Sequence, residues 1–138
     1  MDNILVIDDD SWVLNSVRRF LQHAGYEVTT ASSGQEGITL IGSGYEYDLV
    51  ITDIRMPGIS GNELADHIRS SDWADVPIIA ITGYHGDVDK ELFDSILQKP
   101  FKLKILIKTI KELINKIEKS SIPKETNKQN GSSSWSMT

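Results

Sequence analysis

Short runs of aliphatic residues alternate with segments of helical period along the first four-fifths of the chain. The runs are Ile4–Ile7, Tyr26–Thr30, Leu49–Thr52, Ile78–Ile81 and a weaker Ile96–Gln98. The first, third and fourth are nearly all aliphatic, as strands buried on both faces of a parallel sheet are. Helical segments stand between them. The first carries Val13, Leu14, Val17, Phe20, Leu21 and Ala24 on one face and stops at Gly25, which suits a left-handed cap. A second covers Gly34–Ile41. A third starts near Ser60, a good N-cap, with Leu64, Ala65 and Ile68 turned inward. A fourth, over Asp87–Phe93, is short and poorly patterned. The last, Leu103 to Glu118, gathers Leu103, Leu106, Ile107, Ile110, Leu113, Ile114 and Ile117 in one arc. Lys104, Lys108, Lys111, Glu112 and Asn115 lie opposite, and Ile105 alone falls on the wrong side. The alternation predicts an α/β domain whose parallel sheet is covered by helices on both faces.

From Ser120 the pattern stops. Residues 120–138 are rich in Ser, Asn and Lys and nearly empty of core-formers, so they read as a disordered low-complexity tail after a domain at 1–119. Trp135 and Met137 stand out within it. The total of 138 residues suits one hydrophobic core that folds without staples. With no cysteine, any metal here must take oxygen or imidazole ligands. Fourteen basic and 20 acidic residues leave a net charge of −6, unfavourable for contact with nucleic-acid phosphates, so no direct DNA binding is expected. The N-terminus lacks a signal-peptide pattern, and the longest apolar runs fall far short of the roughly 18 residues a membrane span needs. A soluble, cytoplasmic chain without membrane insertion is expected.

In an open parallel sheet, ligands sit outside the carboxyl ends of the strands. The first strand ends in Asp8, Asp9 and Asp10, the third in Asp53, the fourth in Thr82 and the fifth in Lys99. Singly these residues mean little. An Asp after a strand is an ordinary helix cap, as Asp10 is expected to be, and a Thr or a Lys there is an ordinary strand former or solvated head. Together they meet at one edge. Close, half-buried carboxylates repel unless a cation neutralises them. Mg²⁺ suits such a place, because it takes one or two carboxylates, keeps several waters and accepts a phosphate oxygen. Acids, one hydroxyl and one lysine therefore point to phosphoryl chemistry, in which a carboxylate can accept the group covalently. A metal-free structural network is the plain alternative.

The stretches ILVIDDD, YDLVITDIRMPGISG, VPIIAITG and LQKPF come in the order, and nearly the spacing, of bacterial response-regulator receiver domains. The chain resembles that family over about residues 3–118. The resemblance implies a doubly wound, flavodoxin-like sheet of five parallel strands in the order 2-1-3-4-5, with helices on both faces. It implies that Asp53 accepts a phosphoryl group from a sensor histidine kinase or histidine phosphotransfer protein. Asp8, Asp9, Asp53 and the backbone carbonyl of Arg55 would hold Mg²⁺, Thr82 would grip a phosphoryl oxygen and Lys99 would supply the cation. It implies a cis peptide at Lys99-Pro100. With only a low-complexity stretch after the domain, output is expected through a downstream protein effector, and a homodimer is a second candidate form. Such a module is not an enzyme in the usual sense, although it assists its own phosphotransfer and dephosphorylation.

The sequence departs from the family in three places. The position three before the lysine, usually aromatic, is Ile96, which cannot perform the family's ring flip. The stretch from Thr82 to Lys99 is short, so a truncated fourth helix and a remodelled output face are expected. Arg55 and Tyr84, each two residues beyond a site residue, are large enough to shield an acyl phosphate, which predicts slow self-dephosphorylation; His85 reads as a solvated loop residue. Two other functions compete. A small haloacid-dehalogenase-like phosphatase would use Asp8 as nucleophile, but Ser11-Trp12 replaces the expected Gly-Thr and Asp53 is left without a role. A degenerate receiver acting as a constitutive interaction domain fits the missing aromatic but not the filled site.

Overall fold

The computed structural model describes residues 2–83 and 87–121. Tyr84, His85 and the tail from residue 122 lie outside the described residues. Five strands, β1 (Asn3–Ile7), β2 (Glu27–Ala31), β3 (Leu49–Asp53), β4 (Ile78–Thr82) and β5 (Ser95–Gln98), form one sheet in the order β2-β1-β3-β4-β5. Every pairing is parallel. The helices are α1 (Ser11–His23), α2 (Gly34–Ile41), α3 (Gly61–Arg69) and α4 (Leu103–Ser121). None among the described residues is long and apolar enough to cross a membrane. Met1–Lys108 form one compact unit, which holds the sheet and the first three helices, and a second unit begins at Thr109.

The aliphatic runs do what parallel strands require. Ile4–Ile7, Leu49–Thr52 and Ile78–Ile81 are buried throughout, whereas β5 is only half-buried. Ile7 pairs with Thr52, Asp53 with Ile81, and Thr82 with Gln98, so the residues that end these strands step across one edge of the sheet. Strand β2 starts at Glu27 rather than Tyr26, because the Tyr26 N–H turns back to Leu21 O while Glu27 N–H donates to Asp2 O. Leu14, Val17 and Leu21 are the buried face of α1. Ala24, expected on that face, is exposed: the helix stops at His23 and the chain turns through Gly25 at φ +99°. Along α4, Leu106, Ile110 and Ile114 are buried and Ile105 is exposed; Ile117, expected in the apolar arc, is exposed as well.

Among the described residues 87–93, the expected short fourth helix is replaced by 3₁₀ geometry, with a 3₁₀ turn at Lys90–Leu92. The backbone around it is held by side chains of α3 as well as by the turn's own bonds, Leu92 N–H to Asp89 O and Phe93 N–H to Lys90 O. Asn62 Nδ2 donates to Asp87 O, and Asn62 Oδ1 accepts from Asp89 N at 2.9 Å. One turn pair further along α3, Arg69 donates to Leu92 O at 3.1 Å, to Ala74 O and Val76 O at 2.7 and 2.6 Å, and to Asp94 Oδ2 at 2.8 Å. Asp94 also accepts from Ile78 N at the start of β4. Leu92 and Phe93 pack against the core, which anchors the segment between these polar ties.

Helix α3 begins hard against the end of β3. Ser60 and Glu63 form a reciprocal capping box, and Gly61 N–H donates to Ile54 O at 2.9 Å. A Cβ on Gly61 would overlap the carbonyl oxygen of Asp53 and the backbone of Ile54. Glycine is required because backbone, which cannot yield, fills the space. Gly61→Ala is therefore expected to destabilise by about 2 kcal/mol or more, in the range of overpacked cores, as read from urea unfolding midpoints.

Candidate functional site

At the carboxyl edge the structure brings together Asp8, Asp9, Asp53, Thr82 and Lys99. Asp8 is 3% exposed and Asp53 8%, and the Thr82 residue is buried, while Asp9 is open to solvent. One carboxylate oxygen from each of Asp8, Asp9 and Asp53 lies within 4.8 Å of the other two. The zero stagger between β1 and β3 causes this, since the residues following the Ile7–Thr52 pair are Asp8 and Asp53. Lys99 reaches the cluster from the end of β5. Its Nζ lies 3.2 Å from Asp8 Oδ2 and 3.4 Å from Asp53 Oδ2. Its backbone N–H donates to Thr82 O at 2.8 Å, and the Lys99-Pro100 peptide is cis.

The second oxygens are also held. Asp8 Oδ1 accepts from Asp10 N at 2.9 Å, and Asp53 Oδ1 accepts from Ile54 N at 2.8 Å. Asp10 turns away from the cluster. It caps α1, its carboxylate accepting from Trp12 N at 2.9 Å and Val13 N at 3.4 Å, so the three adjacent acids divide into two site residues and one cap.

The electrostatics are those of an acidic pocket short of positive charge. Burial raises the Asp8 carboxyl to about 6; the Asp10 N–H opposes this, the Asp53 charge adds to it, and Lys99 offsets only part. For Lys99, burial alone would weaken the ammonium, but the charges of Asp8 and Asp53 outweigh it and raise its pKa above the ordinary lysine value. The pair is attractive, yet Asp8 still titrates high, because desolvation and the second acid exceed what one partly exposed ammonium returns. Three oxygen ligands at one wall, with a surplus of negative charge, fit a hard divalent cation.

Arg55 follows the site on the loop after β3, and its guanidinium pairs with the carboxylate of Asp87. Ile54, Arg55, Met56, Pro57, Ser60, Asn62 and Asp87 line one cleft beside the acidic cluster. Sequence reasoning missed Asp87, Asn62 and Arg69. Asn62 and Arg69 are seven residues apart on the polar face of α3, where a periodicity reading assigns solvent. Tyr84 and His85, singled out from the sequence, lie outside the described residues.

A family model described as the response regulator receiver domain matches residues 4–111. The regulatory protein VanRB of Enterococcus faecalis is 38% identical over 120 residues, covering 82% of this chain and 52% of its own length. The transcriptional regulatory protein YrkP of Bacillus subtilis is 40% identical over 103 residues, covering 71% and 43%. The chain thus spans about half the length of the curated relatives it matches. Among solved structures, the response regulator protein TrrA of Thermotoga maritima, crystallised in complex with Mg²⁺-BeF, superposes with a TM-score of 0.76 at 40% identity, covering 82% of this chain and 99% of that one. A response regulator receiver domain protein of Clostridium thermocellum superposes with a TM-score of 0.78 at 34% identity, covering 86% and 98%.

The raised Asp8 carboxyl makes a prediction for the metal-free protein. The folded state holds its proton up to about pH 6, the unfolded chain only to about 3.8. Between these values the folded state binds more protons, so the Asp8 contribution to stability is present below pH 3.8 and lost as pH rises through 6. Asp8→Asn should therefore be more stable than the parent at pH 7, by up to about 3 kcal/mol, with the gap closing towards pH 4. Unfolding midpoints of both proteins across pH 4–7 check this.

Proposed function

The chain belongs to the response regulator receiver domain family, and on that premise we propose that Asp53 is its phosphoacceptor in a two-component or phosphorelay pathway. The observation that carries the reading is the placement of Asp53: buried at the end of β3, one oxygen anchored on Ile54 N–H, the other facing Lys99, beside Asp8 and Asp9. An oxygen of Asp53 forms a bond to phosphorus as the P–N bond of a phosphohistidine donor breaks and its imidazole leaves. Lys99 neutralises the phosphoryl group, and the Thr82 hydroxyl holds one of its oxygens. Asp8, Asp9, Asp53 and the Arg55 carbonyl would hold Mg²⁺, which would supply further positive charge against the phosphoryl oxygens; the acid-rich cluster here and the Mg²⁺-BeF on the Thermotoga relative support this.

The domain is proposed as 1–119 with a low-complexity tail at 120–138, working in the cytoplasm with a sensor histidine kinase or histidine phosphotransfer protein upstream and a protein effector downstream. These residues are proposed not to contact DNA directly, although the relative YrkP is named a transcriptional regulatory protein. Self-association remains a further output form.

Incubation with acetyl phosphate and Mg²⁺ should add one phosphoryl group, located on Asp53 by peptide mass mapping and absent in Asp53→Asn. Asp9→Ala should slow labelling by two orders of magnitude or so, the usual loss when an electrostatic stabiliser is removed. Asp10→Ala should label normally and lose about 1 kcal/mol of stability, as cap deletions do. Phosphate release that depends on Asp8 but not Asp53 would instead establish a phosphatase.

A further inference from the structure

The cleft beside the site contains an ion pair that the phosphoacceptor chemistry does not use. Arg55 Nε donates to Asp87 Oδ2, and the same residue, Asp87, gives its carbonyl to Asn62 of α3. Asp87 opens the segment that replaces the fourth helix, so one carboxylate joins the loop after the phosphoacceptor to the stretch running to Phe93 and β5. Both partners are accessible, with 63% of the Arg55 side chain and 36% of the Asp87 side chain exposed. An ion pair in that environment is weak, about 0–1 kcal/mol, and so it is readily exchanged.

We propose that Asp87 and the phosphoryl group on Asp53 compete for Arg55, so that phosphorylation draws the guanidinium away from Asp87 and loosens the 87–93 segment. This rests on Asp53 being the phosphoacceptor. Arg55 lies two residues beyond Asp53, on a side chain long enough to serve either anion. Phosphorylation replaces one carboxylate charge by nearly two, with three strong acceptor oxygens, whereas Asp87 offers a single, solvent-screened carboxylate. The exchange removes one charged tie from the segment and leaves the neutral bonds of Asn62 and the Arg69 clamp below it. The residues nearest Arg55 would then move first, while Leu92–Asp94 stay fixed to α3 and β4. Such a device gives this chain a route from the site to its surface that needs no aromatic ring at Ile96.

Competition is reciprocal: whatever Asp87 subtracts from the affinity of a phosphoryl-like ligand, that ligand subtracts from the Arg55–Asp87 pair. The probe is beryllofluoride with Mg²⁺, measured by calorimetry, together with amide exchange over 87–93. Asp87→Asn should tighten beryllofluoride binding about two- to fivefold, the worth of an exposed pair. In the Arg55→Ala background the same substitution should change affinity little, which separates loss of competition from mere removal of a negative charge. Beryllofluoride should speed amide exchange at residues 87–91 in the parent, and Asp87→Asn should show that faster exchange without ligand. Unchanged affinity in Asp87→Asn, equal tightening with and without Arg55, or exchange at 87–91 that beryllofluoride leaves unmoved would each overturn the proposal. The acetyl phosphate adduct on Asp53 keeps the two readings apart: an adduct with no competition overturns only the proposal, and no adduct overturns both.

Discussion

Burial of Asp8 and Asp53 side by side, with the repulsion between them, is the constraint around which the carboxyl edge is built. Zero stagger between β1 and β3 brings the two into register, and burial of Asp8 and Asp53 strengthens every charge term between them. The fold pins both against that repulsion. Asp53 leans on the Ile54 N–H, Asp8 on the Asp10 N–H, and Lys99 touches both. The Asp10 amide and the Lys99 ammonium do not offset the burial of Asp8 and the charge of Asp53 beside it, as the raised Asp8 carboxyl records. A site left with surplus negative charge is one in which cation binding and phosphoryl transfer have something to gain, so the same strain that weakens the fold locally prepares it for its chemistry.

Much of this was legible in the residues because strand ends are punctuated. ILVI followed by acids, LVIT by Asp53 and IIAI by Thr82 mark where aliphatic burial stops, and in a parallel sheet all such points share an edge. The role of Asp10 followed from its place before a helical period, and the cap bonds to Trp12 and Val13 bear it out. Strand order could not come from the pattern. It rested on resemblance, since periodicity says which face is buried and nothing about neighbours. One smaller error has a local cause. Ala24 continues its apolar arc in sequence, but α1 ends at His23, before the arc reaches it.

The segment 87–94 was the least readable part, for a physical reason. Backbone groups at Asp87, Asp89 and Leu92 are satisfied by Asn62 and Arg69, side chains 23 to 27 residues away, so no local signal exists to find. Glycine 61 belongs to the same class. Its need comes from Asp53 and Ile54 backbone pressed against the start of α3, a long-range contact that makes a common turn residue irreplaceable.

These two features are connected through α3. Its first residue abuts the carbonyl of Asp53, its Asn62 holds the start of the 87–93 segment, and its Arg69 holds the end. A single short helix thus carries contacts to both the end of β3 and the stretch that stands where the family places a fourth helix. Rigid contact at Gly61 transmits position, because backbone against backbone cannot relax, whereas the exposed Arg55–Asp87 pair transmits charge, because it can be exchanged at little cost. A fold that signals through added charge needs both: a frame that does not move when the group arrives, and one weak ion pair beside it that does.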